Sequence, residues 1–165
     1  MPADAPAAGT SPPAPAPARP LVGWRLLALF YDFWPSLALW MLASLCFTLA
    51  YTVAGHHDPH DNIAPLSGLQ WLLWLVCWLL SGLYAVVSWR RGGQTLGMRP
   101  WRLCVIRADG GLPSWRALCV RYCVGTVGLL AAGLGFWWAW FDRDRLAWHD
   151  RASGTRVVRR PKAGR

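Results

Sequence analysis

One carboxylate lies where a carboxylate is expensive. Asp32 sits inside the run LLALFYDFWPSLALW, with leucines and aromatics on both sides. A charge at the centre of a membrane-spanning helix costs at least about 2.5 kcal/mol on insertion scales, so such a group needs compensation and is a functional candidate by default. Two cations are placed to compensate it. Arg25 precedes Asp32 by seven residues, two helical turns on the same face, and reaches it through one intermediate partner. Arg121 lies in another apolar run, and a buried guanidinium and a buried carboxylate each lower the other's cost. Read functionally, Asp32 and its cations form an ion or small-ligand path; read structurally, they fix helix packing.

A second charged cluster, FDRDRLAWHDRASGT, places Asp142, Asp144 and Asp150 among arginines, with His149 and Arg151 as immediate charge partners of Asp150. No Ser, Cys or Thr has a base and an orienting acid in a nucleophile pattern, so an enzyme is not expected. His56, His57 and His60, with Asp58 and Asp61, are weak metal candidates: their spacing is too tight for a regular zinc site, and a short polar loop carries such residues to stay solvated. Neither a metal nor a cofactor is expected. Gly92, Gly93 and Gly97 fit neither phosphate-cradle spacing and read instead as a turn that lets Arg90, Arg91 and Arg99 face anionic headgroups. Cys46, Cys77, Cys104, Cys119 and Cys123 are odd in number and mostly apolar in context; they read as buried thiols, not a disulfide framework.

The elements that must position these residues are membrane helices. Of 165 residues, 55% are hydrophobic and 15% charged. The apolar residues fall into three blocks, 26–53, 66–87 and 117–141, where a soluble core would spread them as amphipathic stripes. The first block is long enough at about 1.5 Å per residue to cross a hydrocarbon core of about 30 Å with tilt. Pro35 within it marks either a kink, relieved by Ser36 or a neighbouring helix, or a first-turn proline. The second block also spans. The third holds Arg121 and several glycines, so it either spans or is re-entrant. Residues 1–20 are Ala/Pro-rich and read as a disordered tail, not a cleaved signal peptide; residues 159–165 form a basic tail. Thirteen tryptophans, many near block ends, read as interfacial anchors. The fold class is thus an all-α membrane protein with a small β element, Leu103 to Arg107 pairing with Arg156 to Arg160 if both lie on one side.

Positive charge sets the orientation. The first flank carries Arg19 and Arg25, the loop 55–65 carries neither Lys nor Arg, and the second loop carries Arg90, Arg91, Arg99, Arg102, Arg107 and Arg116. The first loop is therefore external and the N-terminus cytoplasmic. Since eight more cations follow the third block, charge bias favours a block that dips in and returns. The formal charge of +9 sits in these flanks, so the expected partner is a bilayer with anionic headgroups and not nucleic acid.

The segments WRLLALFYD, GQTLGMR and WHDRASGTRVV, in that order with apolar blocks between, resemble the RDD family of bacterial membrane proteins, named for one arginine and two aspartates. The resemblance implies a membrane domain over 21–158 in the bacterial inner membrane, with Arg25, Asp32 and Asp150 as its motif. Met98 stands where a lysine is common, and Trp34 and Pro35 directly follow the aspartate. The family has no established activity; transport of unidentified ligands and accessory roles have both been suggested. Two functions are therefore carried forward. One is transport of ions or small ligands through the Arg/Asp cluster, which for so few crossings requires a homo-oligomer or a larger partner. The other is a membrane scaffold or accessory subunit that binds anionic lipid or another membrane protein. Gly128, Ala131, Ala132 and Gly135 offer a small-residue face for assembly or for packing within the chain.

Overall fold

The computed structural model describes residues 21–55 and 63–161. The tail 1–20, the histidine cluster with its aspartates at 56–61, and residues 162–165 lie outside the described residues.

Two helices are long and apolar enough to cross a membrane, α1 (Val22–Gly55) and α2 (Gly68–Gly92). α1 outruns its apolar block at both ends and α2 at its C-terminal end, because a helix continues where its sequence turns polar. At 34 residues α1 is about 51 Å long, well beyond a core of about 30 Å. The Ser67 hydroxyl caps α2 by accepting from Gln70 N, and Gly93, at φ 69°, closes it in the left-handed region. Arg90 and Arg91 occupy its last turn, where cations suit the helix dipole.

Pro35 lies inside α1, thirteen residues after its start, which rules out a first-turn proline. The carbonyl that it deprives of a partner is that of Tyr31. The Ser36 hydroxyl does not supply the replacement, because it donates to the Asp32 carbonyl at 2.9 Å.

The third apolar block folds back on itself. It comprises α3 (Trp115–Leu130), a turn through Ala132 and Gly133 at φ 54° and 77°, α4 (Leu134–Trp137) and a 3-10 turn at Trp138–Trp140, bent by 110° from α3. Gly128 and Gly135 allow the fold-back: a Cβ on Gly135 would stand 2.8 Å from the Gly128 Cα. These small residues thus pack within the chain. After a loop, α5 (Trp148–Ser153) returns along α3 and leads into a two-stranded antiparallel sheet of β1 (Leu103–Arg107) and β2 (Thr155–Arg159). Arg107 pairs with Thr155, so the block begins and ends at one end of the molecule.

The protein's own core sits at that end. Ala28, Val86, Met98, Leu103, Val105, Leu118 and Val157 are buried together, with Trp24, Trp89, Trp101 and Tyr122 against them. Away from it the long helices present large apolar side chains outward, Leu45, Leu49, Leu79 and Leu83 among them, as lipid-facing surfaces do. α2 is central: α1 and α3 both pack on it and scarcely on each other. Polar contacts stitch the apolar zone. Trp40 Nε1 donates to Ser81 Oγ at 2.8 Å, Trp78 Nε1 to Thr126 Oγ1 at 3.2 Å, and Tyr122 OH to the Trp78 carbonyl at 2.8 Å.

Candidate functional site

Three elements far apart in sequence deliver one charge cluster. Arg25 comes from the first turn of α1, Arg121 from the middle of α3 and Asp150 from α5, and all are buried. The Asp150 carboxylate is 0% exposed. Its Oδ2 accepts from Arg25 Nη1 and, at 3.1 Å, from Ala147 N, which also anchors the start of α5. Its Oδ1 accepts from Arg121 Nη1 at 2.6 Å, and the same Nη1 donates to Thr155 Oγ1 at 2.7 Å. The Arg121 guanidinium also lies 5.4 Å from the centroid of Trp89.

Asp32 has a different set of partners from those its sequence neighbourhood suggested. The Tyr84 hydroxyl donates to Oδ1 at 2.7 Å and Gly97 N at 2.8 Å, while the Thr95 hydroxyl donates to Oδ2. Neither Arg25 nor Arg121 meets it. Both turn to Asp150, whose complete burial gives a carboxylate most to gain from two guanidiniums. Asp32 instead fastens the glycine loop to α1: a Cβ on Gly97 would run into the Ala28 carbonyl and stand 2.8 Å from Asp32 N. The loop glycine therefore serves a close backbone approach. Met98, at the position where a lysine is common, is buried in the core and accepts from Trp89 Nε1 at 3.3 Å.

Of the remaining candidates, Arg151 pairs with Asp142 at 2.8 Å, with Asp144 at 3.8 Å, and is half-exposed. His149 is buried beside the cluster, its Nε2 3.7 Å from Asp150 Oδ1 and its ring against Phe136. Burial, and then the charge of Arg121, push the His149 imidazole down to about 3, so the contact joins a neutral ring to a carboxylate and is not an ion pair. Burial alone would raise the Asp150 carboxyl, but Arg121 and Arg25 outweigh it and hold the group below the usual carboxylate range. The cluster thus holds two cations and one anion, one net positive charge in a buried place. Its polar atoms are incompletely used: among the described residues Arg25 Nε, Arg121 Nε and His149 Nδ1 are buried without a hydrogen-bond partner. Each such group costs about 1–3 kcal/mol.

Arg25, Arg121 and His149 of this cluster form the floor of a cleft of about 1020 Å³ between α1, α2 and α3. Its walls are apolar and aromatic, with Leu29, Phe33, Trp40, Trp74, Trp78 and Leu129 at helical spacings. It runs from Arg25 up to Ser44, nineteen residues or about 28 Å along α1, and Asp32 lines it part-way.

Arg25, Asp32 and Asp150 are thereby fixed in three roles, two in one cluster and one holding the loop. The model of the RDD family matches residues 19–154, which contain all three. The chain belongs to the RDD family. Neither a curated protein nor a solved structure matches it. Within this RDD protein, sequence reasoning named Arg25, Arg121 and Asp150 but missed Tyr84 and Thr95. Thr95 lies inside the motif GQTLGMR, a signal that could have been used.

The neutral imidazole makes this RDD protein acid-sensitive in a defined window. Unfolded, His149 titrates near 6.5; folded, near 3. Below pH 6.5 the unfolded chain binds a proton that the folded one refuses, so stability is complete above 6.5 and falls by up to about 1.4 kcal/mol per pH unit towards 3. The lowered Asp150 carboxyl adds a loss in the same direction below its ordinary 3.8. Melting temperatures in detergent are expected to be level from pH 8 to 6.5 and to drop from 6.5 to 4, and His149→Gln should flatten that drop. A variant that keeps the full drop would rule His149 out as its source.

Proposed function

We propose that this is a multi-pass protein of the bacterial inner membrane, basic end in the cytoplasm, that takes a small ligand or ion into the intramembrane cleft as the binding step of its transport. The observation that carries the reading is the cleft itself, about 1020 Å³ of largely apolar space ending on Arg25 and Arg121, the two buried guanidiniums that Asp150 pairs. A buried site that merely held helices together would be expected to fill its space and satisfy its donors. This one does neither. The basic flanks support the orientation, because a third block that starts and ends beside the sheet leaves the cation-rich segments among the described residues at the same end.

The packed sheet and its hydrophobic core close the basic end, so the transport reading calls for a second copy or a membrane partner to complete the path. Reconstituted vesicles test it. Flux of protons, sodium and small organic anions is expected for the wild type and should fall strongly in Asp32→Asn, whose loop contacts flank the cleft. Absence of every flux in the wild type, or equal flux in the variant, would defeat the reading and favour a scaffold.

A further inference from the structure

The cleft also says what kind of ligand it takes. The inference rests on the reading of the cleft as a ligand site. Its floor carries one net positive charge, since His149 is neutral and Asp150 offsets only one of two guanidiniums. Asp32, the other carboxylate on the cleft, already accepts from Tyr84, Thr95 and Gly97. Two floor residues, each more than nine-tenths buried, keep an Nε–H without an acceptor, Arg25 and Arg121, and the third, His149, presents a neutral ring. An anion offsets the charge. A bare inorganic anion would leave the rest of the cleft empty, because the volume is at the top of the about 300–1,000 Å³ range of small-molecule pockets and its walls are apolar. The occupant therefore has an anionic head and a long apolar body.

The packing indicates where it comes from. α1 and α3 both lean on α2 and leave a gap between themselves, so the cleft opens sideways, towards lipid. Its length of about 28 Å along α1 exceeds the roughly 15 Å of one leaflet's hydrocarbon. Basic pockets between membrane helices are a recurrent seat for anionic headgroups. We propose that the cleft holds one anionic lipid of the leaflet at the basic end, its headgroup against Arg25, Arg121 and His149 and an acyl chain along Trp78, Trp74 and Trp40.

The tryptophans of the wall supply the readout. Phosphatidylglycerol and phosphatidylcholine carrying the same brominated chains are titrated into the full-length protein in neutral detergent, and quenching of tryptophan fluorescence is followed. The glycerol lipid is expected to quench at about tenfold lower concentration. Gly125→Leu fills the space in front of the floor against the His149 ring, which a Cβ there would touch at 3.9 Å, and leaves Arg25 and Arg121 in the chain; it should erase the difference between the lipids. Leu129→Trp, at an exposed wall position, narrows the cleft higher up and should weaken both, which serves if the glycine variant does not fold. Equal quenching by the two lipids, a folded Gly125→Leu that keeps the preference, or displacement of the lipid by inorganic phosphate would overturn the proposal. Headgroup-selective quenching without vesicle flux defeats transport and leaves the lipid site standing; flux without selectivity does the reverse.

Discussion

Asp150→Asn is expected to leave little or no folded protein. The substitution preserves the shape of the side chain but removes the only negative charge between Arg25 and Arg121, and both guanidiniums are buried. Breaking a buried ion pair by deleting one partner costs about 3–5 kcal/mol, because the orphaned charge keeps its desolvation penalty. Here two charges are orphaned and also repel each other. The new amide offers one oxygen acceptor where the carboxylate offered two, and its NH2 points a donor at a donor. Since folded domains are stable by about 5–15 kcal/mol in total, the loss uses up much of the margin. Thermal stability measured by size exclusion in detergent reads the effect directly. The double variant Arg25→Gln/Asp150→Asn, which removes one cation with the anion, should recover part of the loss. A melting temperature for Asp150→Asn equal to that of the wild type would mean that the cluster does not hold α1, α3 and α5 together.

That cluster also shows where sequence reasoning stops. The spanning helices were legible because a bilayer demands long apolar runs, and Leu103–Arg107 and Arg156–Arg160 were legible as strands from their β-branched residues, the second lying one residue earlier in the fold, at Thr155–Arg159. Charge bias alone favoured a third block that returns; in the fold the block is bent by 110°, and the pairing of Arg107 with Thr155 brings the chain back to the sheet. The helix ends differ from the block ends by a few residues because hydropathy marks only the apolar stretch, whereas Trp24, Arg25, Arg90 and Arg91 continue the helices beyond it. The pairings were not legible at all. Asp32 looked like the partner of Arg25 because the two share a helix face, yet its donors Thr95 and Gly97 lie 63 and 65 residues further on, and Arg25 finds Asp150 at a separation of 125. An arginine side chain reaches several ångströms in any direction, so which carboxylate it meets depends on the burial of each, a property of the assembled fold. The same holds for the cleft, which exists only because α1 and α3 pack on α2 and leave a gap between themselves.

Gly97→Ala should undock the glycine loop from α1, and it should do so through the same contacts that Asp32 makes. The backbone at Gly97 has no positive φ, so alanine is conformationally acceptable there; only space is lacking. The added methyl would collide with the Ala28 carbonyl and stand 2.8 Å from the backbone nitrogen of Asp32, and helix backbone cannot yield as a side chain tip can. If the loop withdraws, Gly97 N and the Thr95 hydroxyl leave the carboxylate together. Hydrogen bonds to a charged group contribute about 1.5–3 kcal/mol each, so the loss is several kcal/mol and close to that of Asp32→Ala, which removes the acceptor itself. Because one docking event underlies both, the double variant should be scarcely worse than either single one; independent sites would add. Limited trypsin digestion adds a local readout, since cleavage at Arg102, at the end of the loop and followed by Leu103, should accelerate in each variant before global unfolding does. Additive losses, or wild-type cleavage at Arg102 in Gly97→Ala, would show that Asp32 is not what holds the loop in place.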